Sequence, residues 1–355
     1  MHDSIRSMRK NEDNSGVCQA LVSGASGFIG GHLCEALVQN GYRVAALVRD
    51  LTFDIASSGS IFSNNWRTSG QSGKVFTGDL AKPETLLTAC HEMDYVFHLA
   101  GTAHTAHAEK KELRKTIVEG TVNFASVAKQ SGVRSFVYFS SSLAATIDKE
   151  QATSYASCKK AAEQAVLAMA DEQFRVCVLR PVNVYGSGMK GNIAALLRRI
   201  RSGTMPPLPK LGNHLSLISV QDLCEAAILA AQREDSTGHI YSVNDGLDYT
   251  PNELEMAIYR ALGKNRPAWY TPRMVFFLAA VGAQIVNKLG LWRNDLGLRT
   301  YRNLTGAGHR VDSKSGIKPC QKCKQQDHAE RNAAELGFQP QRSFQDELPK
   351  ILSAL

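Results

Sequence analysis

The chain of 355 residues has no apolar run long enough to cross a bilayer. Its most hydrophobic stretch, MVFFLAAVGA at 274–283, gives way to Gln284 after ten residues, whereas a spanning helix needs about 20. No transmembrane segment is therefore expected. The first sixteen residues, MHDSIRSMRKNEDNSG, lack the apolar core of a secretion signal and read as a disordered lead-in. Eight unevenly spaced cysteines in a chain of this length make no disulfide framework. Cys18, Cys34, Cys90, Cys158, Cys177 and Cys224 stand singly in apolar or helical runs, where buried thiols are expected. A cytoplasmic, reducing location is the resulting expectation. No internal repeat of fixed period is present. The formal charge of +8 invites an anionic partner. Basic residues nevertheless read as scattered outside LLRRIR (196–201) and a lysine-rich stretch near 320, and no recognition motif accompanies them, so nucleic acid is not an expected partner.

What the sequence does have is alternation. VCQALVSG (17–24), RVAALV (43–48), KVFTGDL (74–80), DYVFHLAG (94–101), SFVYFSSS (135–142) and RVCVLRP (175–181) read as strands. Helical patterns separate several of them, at 30–41, at about 109–131 and around Lys159, and a Ser/Gly/Asn-rich loop runs from Ser57 to Gly73. This is the pattern of an α/β fold with a doubly wound parallel sheet, which takes its ligands at the carboxyl ends of the strands. After Pro181 the pattern loosens. NIAALLRRIRSG is helical, LSLISVQDLCEAAILAAQ is a strand entering a helix, and HIYSVNDG is a strand. Thr250, Pro251 and Glu253 form a helix start signal. The expected organisation is a lead-in at 1–16, a dinucleotide-binding domain at 17–181 and a smaller substrate-binding lobe at 182–355, two of whose elements return to the main sheet.

VSGASGFIGGH places Gly24, Gly27 and Gly30 between a strand and a helix. Glycines there permit a tight turn and let a pyrophosphate approach amides at the helix N-terminus, with Ser26, Phe28, Ile29 and Gly30 as expected cofactor contacts. The spacing is GxxGxxG. With this loop the chain resembles the extended short-chain dehydrogenase/reductase superfamily, the group of NAD-dependent epimerases and dehydratases, and among them nucleotide-sugar epimerases. The resemblance runs from about Val17 to ELGFQP (335–340). It is carried by GASGFIG, GDL (78–80), DYVFHLAG, GTVNFASVAKQSGVRSFVYFSSS (120–142), YASCK (155–159), LRPVNVYGSG (179–188) and SVQDL (219–223).

The resemblance implies a Rossmann-type fold, a bound NAD or NADP, and contacts to it from Asp79, Leu80, Leu99, Ala100, Gly101, Pro181 and Val182. Asp79 reads equally as a helix N-cap. After the second strand, NAD-binding members place a carboxylate for the ribose 2′-hydroxyl. Here Val48 and then Arg49 occupy that place, and a guanidinium pairs with a 2′-phosphate. This favours NADP, with Asp50 reaching the ribose of NAD as the alternative.

Ser142, Tyr155 and Lys159 resemble the superfamily's catalytic Ser…Tyr-x-x-x-Lys set. Positions four apart share a helical face. A free tyrosine titrates near pH ~10, and a neighbouring ammonium together with an oxidised nicotinamide is expected to lower that value. Ser140 and Ser141 are alternatives to Ser142 should the register shift. Two departures stand out: Ile117 replaces the usual relay asparagine, and the segment from Ser142 to Tyr155 is short.

RPVNVYGSGMKGNIAALLRRI resembles the stretch that holds the diphosphate of a nucleotide sugar. Asn183 and Asn192 would then contact substrate, Asn192 reading alternatively as a plain N-cap. Against a nucleotide sugar, Leu215 stands where relatives carry an arginine; Arg198, Arg299 or Arg302 would have to supply the charge. The implied activities are epimerisation through a transient ketone or, as the alternative, NADPH-dependent reduction of a ketone or aldehyde of the dihydroflavonol-reductase or hydroxysteroid-dehydrogenase kind. A non-catalytic cofactor sensor is a third reading, disfavoured by the retained Tyr155 and Lys159. His98, His104 and His107 are spaced like ligands, but in this superfamily the loop after that strand faces the substrate, so His104 reads as a substrate contact. Cys320, Cys323 and His328 fall short of the four ligands of a structural zinc. Residues 314–331 read as an exposed insertion, and no metal is expected. The small-molecule enzyme is expected to be a homodimer, with MVFFLAAVGAQIV (274–286) as core or dimer surface.

Overall fold

The computed structural model describes residues 17–50, 73–101, 110–145, 153–288 and 330–354. His104, His107, Arg299, Arg302, Cys320, Cys323, His328 and all but the last residue of the Ser57–Gly73 loop lie outside these residues.

Among the described residues, eight strands form one sheet in the order β11-β9-β6-β5-β4-β1-β2-β3. They are β1 (Gln19–Ser23), β2 (Arg43–Val48), β3 (Val75–Thr77), β4 (Tyr95–His98), β5 (Ser135–Phe139), β6 (Arg175–Pro181), β9 (His239–Val243) and β11 (Glu330–Asn332). The pairs β1–β2, β1–β4, β2–β3, β4–β5 and β9–β11 are parallel. Strands β1, β4 and β5 are apolar and buried almost throughout, as parallel strands covered on both faces must be. The order reverses at β1, which pairs with β2 on one side and β4 on the other. Such a switch point opens a crevice beyond the strand ends.

By internal contacts the chain falls into two compact units, one of residues 1–139, 161–177 and 231–238, the other of 140–160, 178–230 and 239–355. In the first, α1 (Phe28–Gln39), the short α2 (Leu87–Cys90), α3 (Lys110–Leu113) and α4 (Gly120–Gln130) accompany the strands. Helix α1 begins at Phe28, two residues before the position expected from its apolar period. The reason is local: the Gly27 N–H donates to the Gly24 carbonyl at 2.9 Å, so the turn is already closed when the helix starts. Helices α3 and α4 are joined by a π-helical segment, Arg114–Glu119. Aromatic rings interlock in the core, with Phe124 edge-on to Phe136 at 5.8 Å.

The second unit holds a three-stranded sheet in the order β10-β8-β7, from β7 (Asn183–Tyr185), β8 (Leu215–Ser219) and β10 (Asp248–Tyr249). Helix α5 (Ser154–Leu167) starts in this unit, and α6 (Asn192–Ser202), α7 (Val220–Gln232), α8 (Pro251–Ala261), α9 (Arg273–Lys288) and α10 (Phe344–Ser353) follow. The start signal of α8 is realised as a reciprocal capping box between Thr250 and Glu253. Of the expected insertion at 314–331, residues 330 and 331 instead open β11. There Glu330 pairs with Arg180 of β6 at 2.7 Å, both side chains buried, and β11 joins β9 in parallel register at the edge of the sheet.

Candidate active site

The pocket at the switch point is built by chain that must turn sharply. Gly24 follows β1 with φ +73°, a left-handed conformation, and a Cβ there would lie 2.8 Å from the Ala100 nitrogen. At Gly30 a Cβ would sit 2.2 Å from the Gly24 carbonyl oxygen. Glycine is thus what lets α1 start hard against the loop. Its first amides, those of Phe28, Ile29 and Gly30, have no carbonyl to bond within the helix, and their partial positive charge faces out of the N-terminus.

An open pocket of about 610 Å³ results. Gly24, Ser26 and Gly27 line it, as do Arg49, Asp79 and Leu80, and the run Leu99, Ala100 and Gly101. All of these are expected from the sequence. Lys115 and Thr116, which are not, also line the pocket. Both belong to the π-helical segment, whose wider turn has no signature in the residue period; π turns recur at functional sites.

Two hydrogen-bond chains hold the walls. The Ala100 N–H donates to Ser23 Oγ at 3.3 Å, and Ser23 Oγ lies 2.7 Å from His98 Nδ1. On the other side of the ring, His98 Nε2 lies 3.0 Å from Thr121 Oγ1, whose hydroxyl donates to the Ile117 carbonyl. Because the Thr121 hydroxyl donates to that carbonyl, its oxygen is left to accept from the Nε2–H of the ring. His98 is therefore a buried structural histidine of β4, stacked with Tyr138 at 5.6 Å, and not a residue of the loop beyond it. The second chain fixes the other wall: the Asn123 amide donates to the Leu80 carbonyl at 2.8 Å. Asp79 is not a helix N-cap; Lys82 has that place. Its Oδ1 accepts the Ala81 N–H at 3.0 Å in a local turn, and its own N–H donates to Thr85 Oγ1. Ile117, in the relay position, is buried.

A glycine cradle no Cβ could enter, unpaired helical amides and two cations, Arg49 and Lys115, fit a dinucleotide with its phosphates.

The second unit carries Ser142, Tyr155 and Lys159. Ser142 opens a short 3₁₀ turn, Ser142–Ala145, directly after β5. Ser141 Oγ is engaged by the Leu143 N–H at 3.3 Å, and Ser140 is buried with its hydroxyl unpartnered. Tyr155 and Lys159 lie one turn apart on α5, Lys159 being buried. Burial pushes the Tyr155 phenol up to about 12. Loss of water penalises the phenolate, so burial acts against the lowering expected from the ammonium and an oxidised nicotinamide. Pro181 and Val182 are buried at the end of β6. Asn183 is exposed and its amide donates to the Ser216 carbonyl at 3.4 Å. Asn192 is the first residue of α6; Gly191 is the N-cap, so the N-cap alternative for Asn192 does not hold. Among the described residues no cluster of three or more potential metal ligands occurs.

Fold and pocket together define a doubly wound α/β protein built around a dinucleotide-type loop. The sequence profile of the NAD dependent epimerase/dehydratase family matches residues 20–244, and the chain belongs to that family. A UDP-glucose 4-epimerase of Vibrio cholerae is 27% identical over 271 residues, covering 71% of this chain and 77% of the relative. A 2-alkyl-3-oxoalkanoate reductase of Stenotrophomonas maltophilia is 27% identical over 265 residues, covering 69% and 76%. Among solved structures, the UDP-glucose 4-epimerase of Thermus thermophilus in complex with NAD superposes with a TM-score of 0.62 at 20% identity, over 95% of this chain and 98% of the other.

Proposed function

We propose that this protein is an NAD(P)-dependent enzyme that oxidises or reduces a secondary alcohol or ketone, with a nucleotide sugar epimerised through a 4-keto intermediate as the leading substrate reading. The observation that carries it is the buried Lys159 one helical turn from Tyr155, in a chain whose switch-point pocket fits a dinucleotide. When bound, the dinucleotide supplies a hydride acceptor and donor. Tyr155 exchanges the proton of the substrate hydroxyl, Ser142 orients that oxygen, and Lys159 holds a positive charge that favours the phenolate during the exchange. Asn183, Asn192 and His104 are the proposed substrate contacts. Phe28, Ile29, Gly30, Pro181 and Val182 complete the cofactor contacts. Arg49 and Lys115 favour NADP over NAD, since two cations can hold a ribose 2′-phosphate; Asp50 on the same pocket is the residue that would serve NAD.

The second reading, net reduction of a ketone by NADPH, is favoured by the same cation pair and by Leu215, which cannot clamp a diphosphate. Calorimetric titration of cofactor-stripped protein with NADPH, NADH, UDP and UDP-N-acetylglucosamine separates the two. Binding of the UDP compounds, with dinucleotide that resists stripping, supports the epimerase. NADPH preference without UDP binding supports the reductase. Failure to bind either dinucleotide overturns both.

A further inference from the structure

The positive charge of the chain is not evenly spread. Residues 256–311 contain nine lysines and arginines and one acidic residue, Asp295. That excess equals the whole chain's formal +8, so the remaining residues are neutral in sum. The described part of this stretch carries α9, which keeps Phe276 and Ala280 buried and turns Met274, Val275, Phe277 and Leu278 outward. Met274 is 70% exposed, Leu278 60%, Val275 54% and, just ahead of the helix, Trp269 56%. Tyr270 and Phe277 are exposed beside them. Positions 274, 275 and 278 repeat at i, i+1 and i+4, so they form one continuous stripe. Basic groups border it. Lys210 Nζ lies 5.1 Å from the Tyr270 ring centroid, and the Arg266 guanidinium, itself paired with Glu255, lies 4.2 Å from it. Arg273 donates to the Lys210 carbonyl at 2.9 Å, so it opens the helix on the same side.

We infer that this face docks the protein peripherally on an anionic lipid surface. An apolar stripe with a tryptophan and a tyrosine at its edge and basic residues around it has the make-up of a helix lying in the headgroup plane, apolar side chains down and cations among the lipid phosphates. Charge complementarity selects this occupant over a second copy of the chain. A two-fold dimer sets the same patch against itself. Here it would oppose Lys210 and Arg273 to their own counterparts; Arg266 is already paired with Glu255 at 2.8 Å, and no further carboxylate stands from 256 to 294 to relieve the other two. The helix is too short and too basic at its ends to span; among the described residues no helix can.

The test is co-sedimentation of the full chain with phosphatidylcholine vesicles, with and without about one third phosphatidylglycerol. Each basic side chain near such a surface adds about fivefold to binding. The expected result is binding to anionic vesicles at least about tenfold tighter than to neutral ones, weakened by salt over the range in which the Debye length falls from about 10 Å to 3 Å. M274E/L278E should lose that binding while its thermal midpoint and dinucleotide binding stay unchanged, since both side chains contribute mainly exposed surface. Equal binding to neutral and anionic vesicles, or none, overturns the proposal. So does concentration-dependent self-association in the ultracentrifuge that M274E/L278E abolishes without any vesicle binding, because the stripe would then be a dimer surface. Should the double variant fail to fold, R273E and the salt and lipid dependence of the unaltered protein decide alone.

Discussion

Tyr155 shows how one residue type acquires a role from its surroundings. A tyrosine four residues before a lysine is common in helices, and only burial makes the pair chemically unusual. Desolvation pushes the phenol up to about 12, so a positive charge must act on it before it can serve as a base near neutrality. Under the proposed chemistry, Tyr155→Phe leaves dinucleotide affinity unchanged and lowers kcat by about 100-fold or more, the usual contribution of a positioned acid–base group. Steady-state kinetics alongside calorimetry checks this; unchanged turnover would remove Tyr155 from the mechanism. His98 is the opposite case. Its spacing to His104 and His107 suggests ligation, yet a side chain inside a buried strand meets its neighbours rather than the substrate. Ser23 and Thr121 saturate both ring nitrogens.

At the scale of elements, the loop between β1 and α1 was readable because its glycines answer to local sterics. The start of α1 was misplaced by two residues because an apolar period reports which face is buried, not where the backbone bonds begin. The close approach at Gly30 makes a sharp prediction. With a Cβ meeting backbone oxygen at 2.2 Å, Gly30→Ala must displace the loop from the helix. The expected cost is about 1–3 kcal/mol of stability in urea denaturation, and under the proposed function a larger proportional loss of dinucleotide affinity, because the amides proposed to hold the phosphates move with the loop. The π-helical turn at Arg114–Glu119 had no comparable signal. Its geometry comes from packing, and Lys115 and Thr116 reach the pocket only through it.

For the molecule as a whole, the sheet is extended by strands drawn from far along the chain. Strand β11 follows its partner β9 by about ninety residues of sequence and is joined to β6 by the Arg180–Glu330 pair. Removing one member of a buried pair strands the other charge, so Glu330→Ala should cost about 3–5 kcal/mol. Replacing both by apolar residues, Arg180→Met with Glu330→Leu, should recover most of that loss. Urea midpoints for the single and double variants measure it. If the single variant is as stable as the unaltered protein, the pair is not what secures the last strand.

By itself the sequence determined the class of fold, the position of the cofactor loop and the residues at the carboxyl ends of β1 to β4. Each of these depends on short-range physics: alternation between buried strands and amphipathic helices, and glycine where a side chain cannot fit. It also carried the helix start at Thr250, a local exchange of hydrogen bonds. Only the tertiary structure decided that His98 is structural, that Asp79 closes a turn rather than a helix, that Lys115 borders the pocket, that residues 330 and 331 are strand, and that an apolar stripe of α9 faces outward beside the basic side chains. Those outcomes rest on which distant groups meet. Hydrogen-bond saturation, desolvation and charge pairing are properties of the neighbours a residue acquires on folding, and no window along the chain contains them.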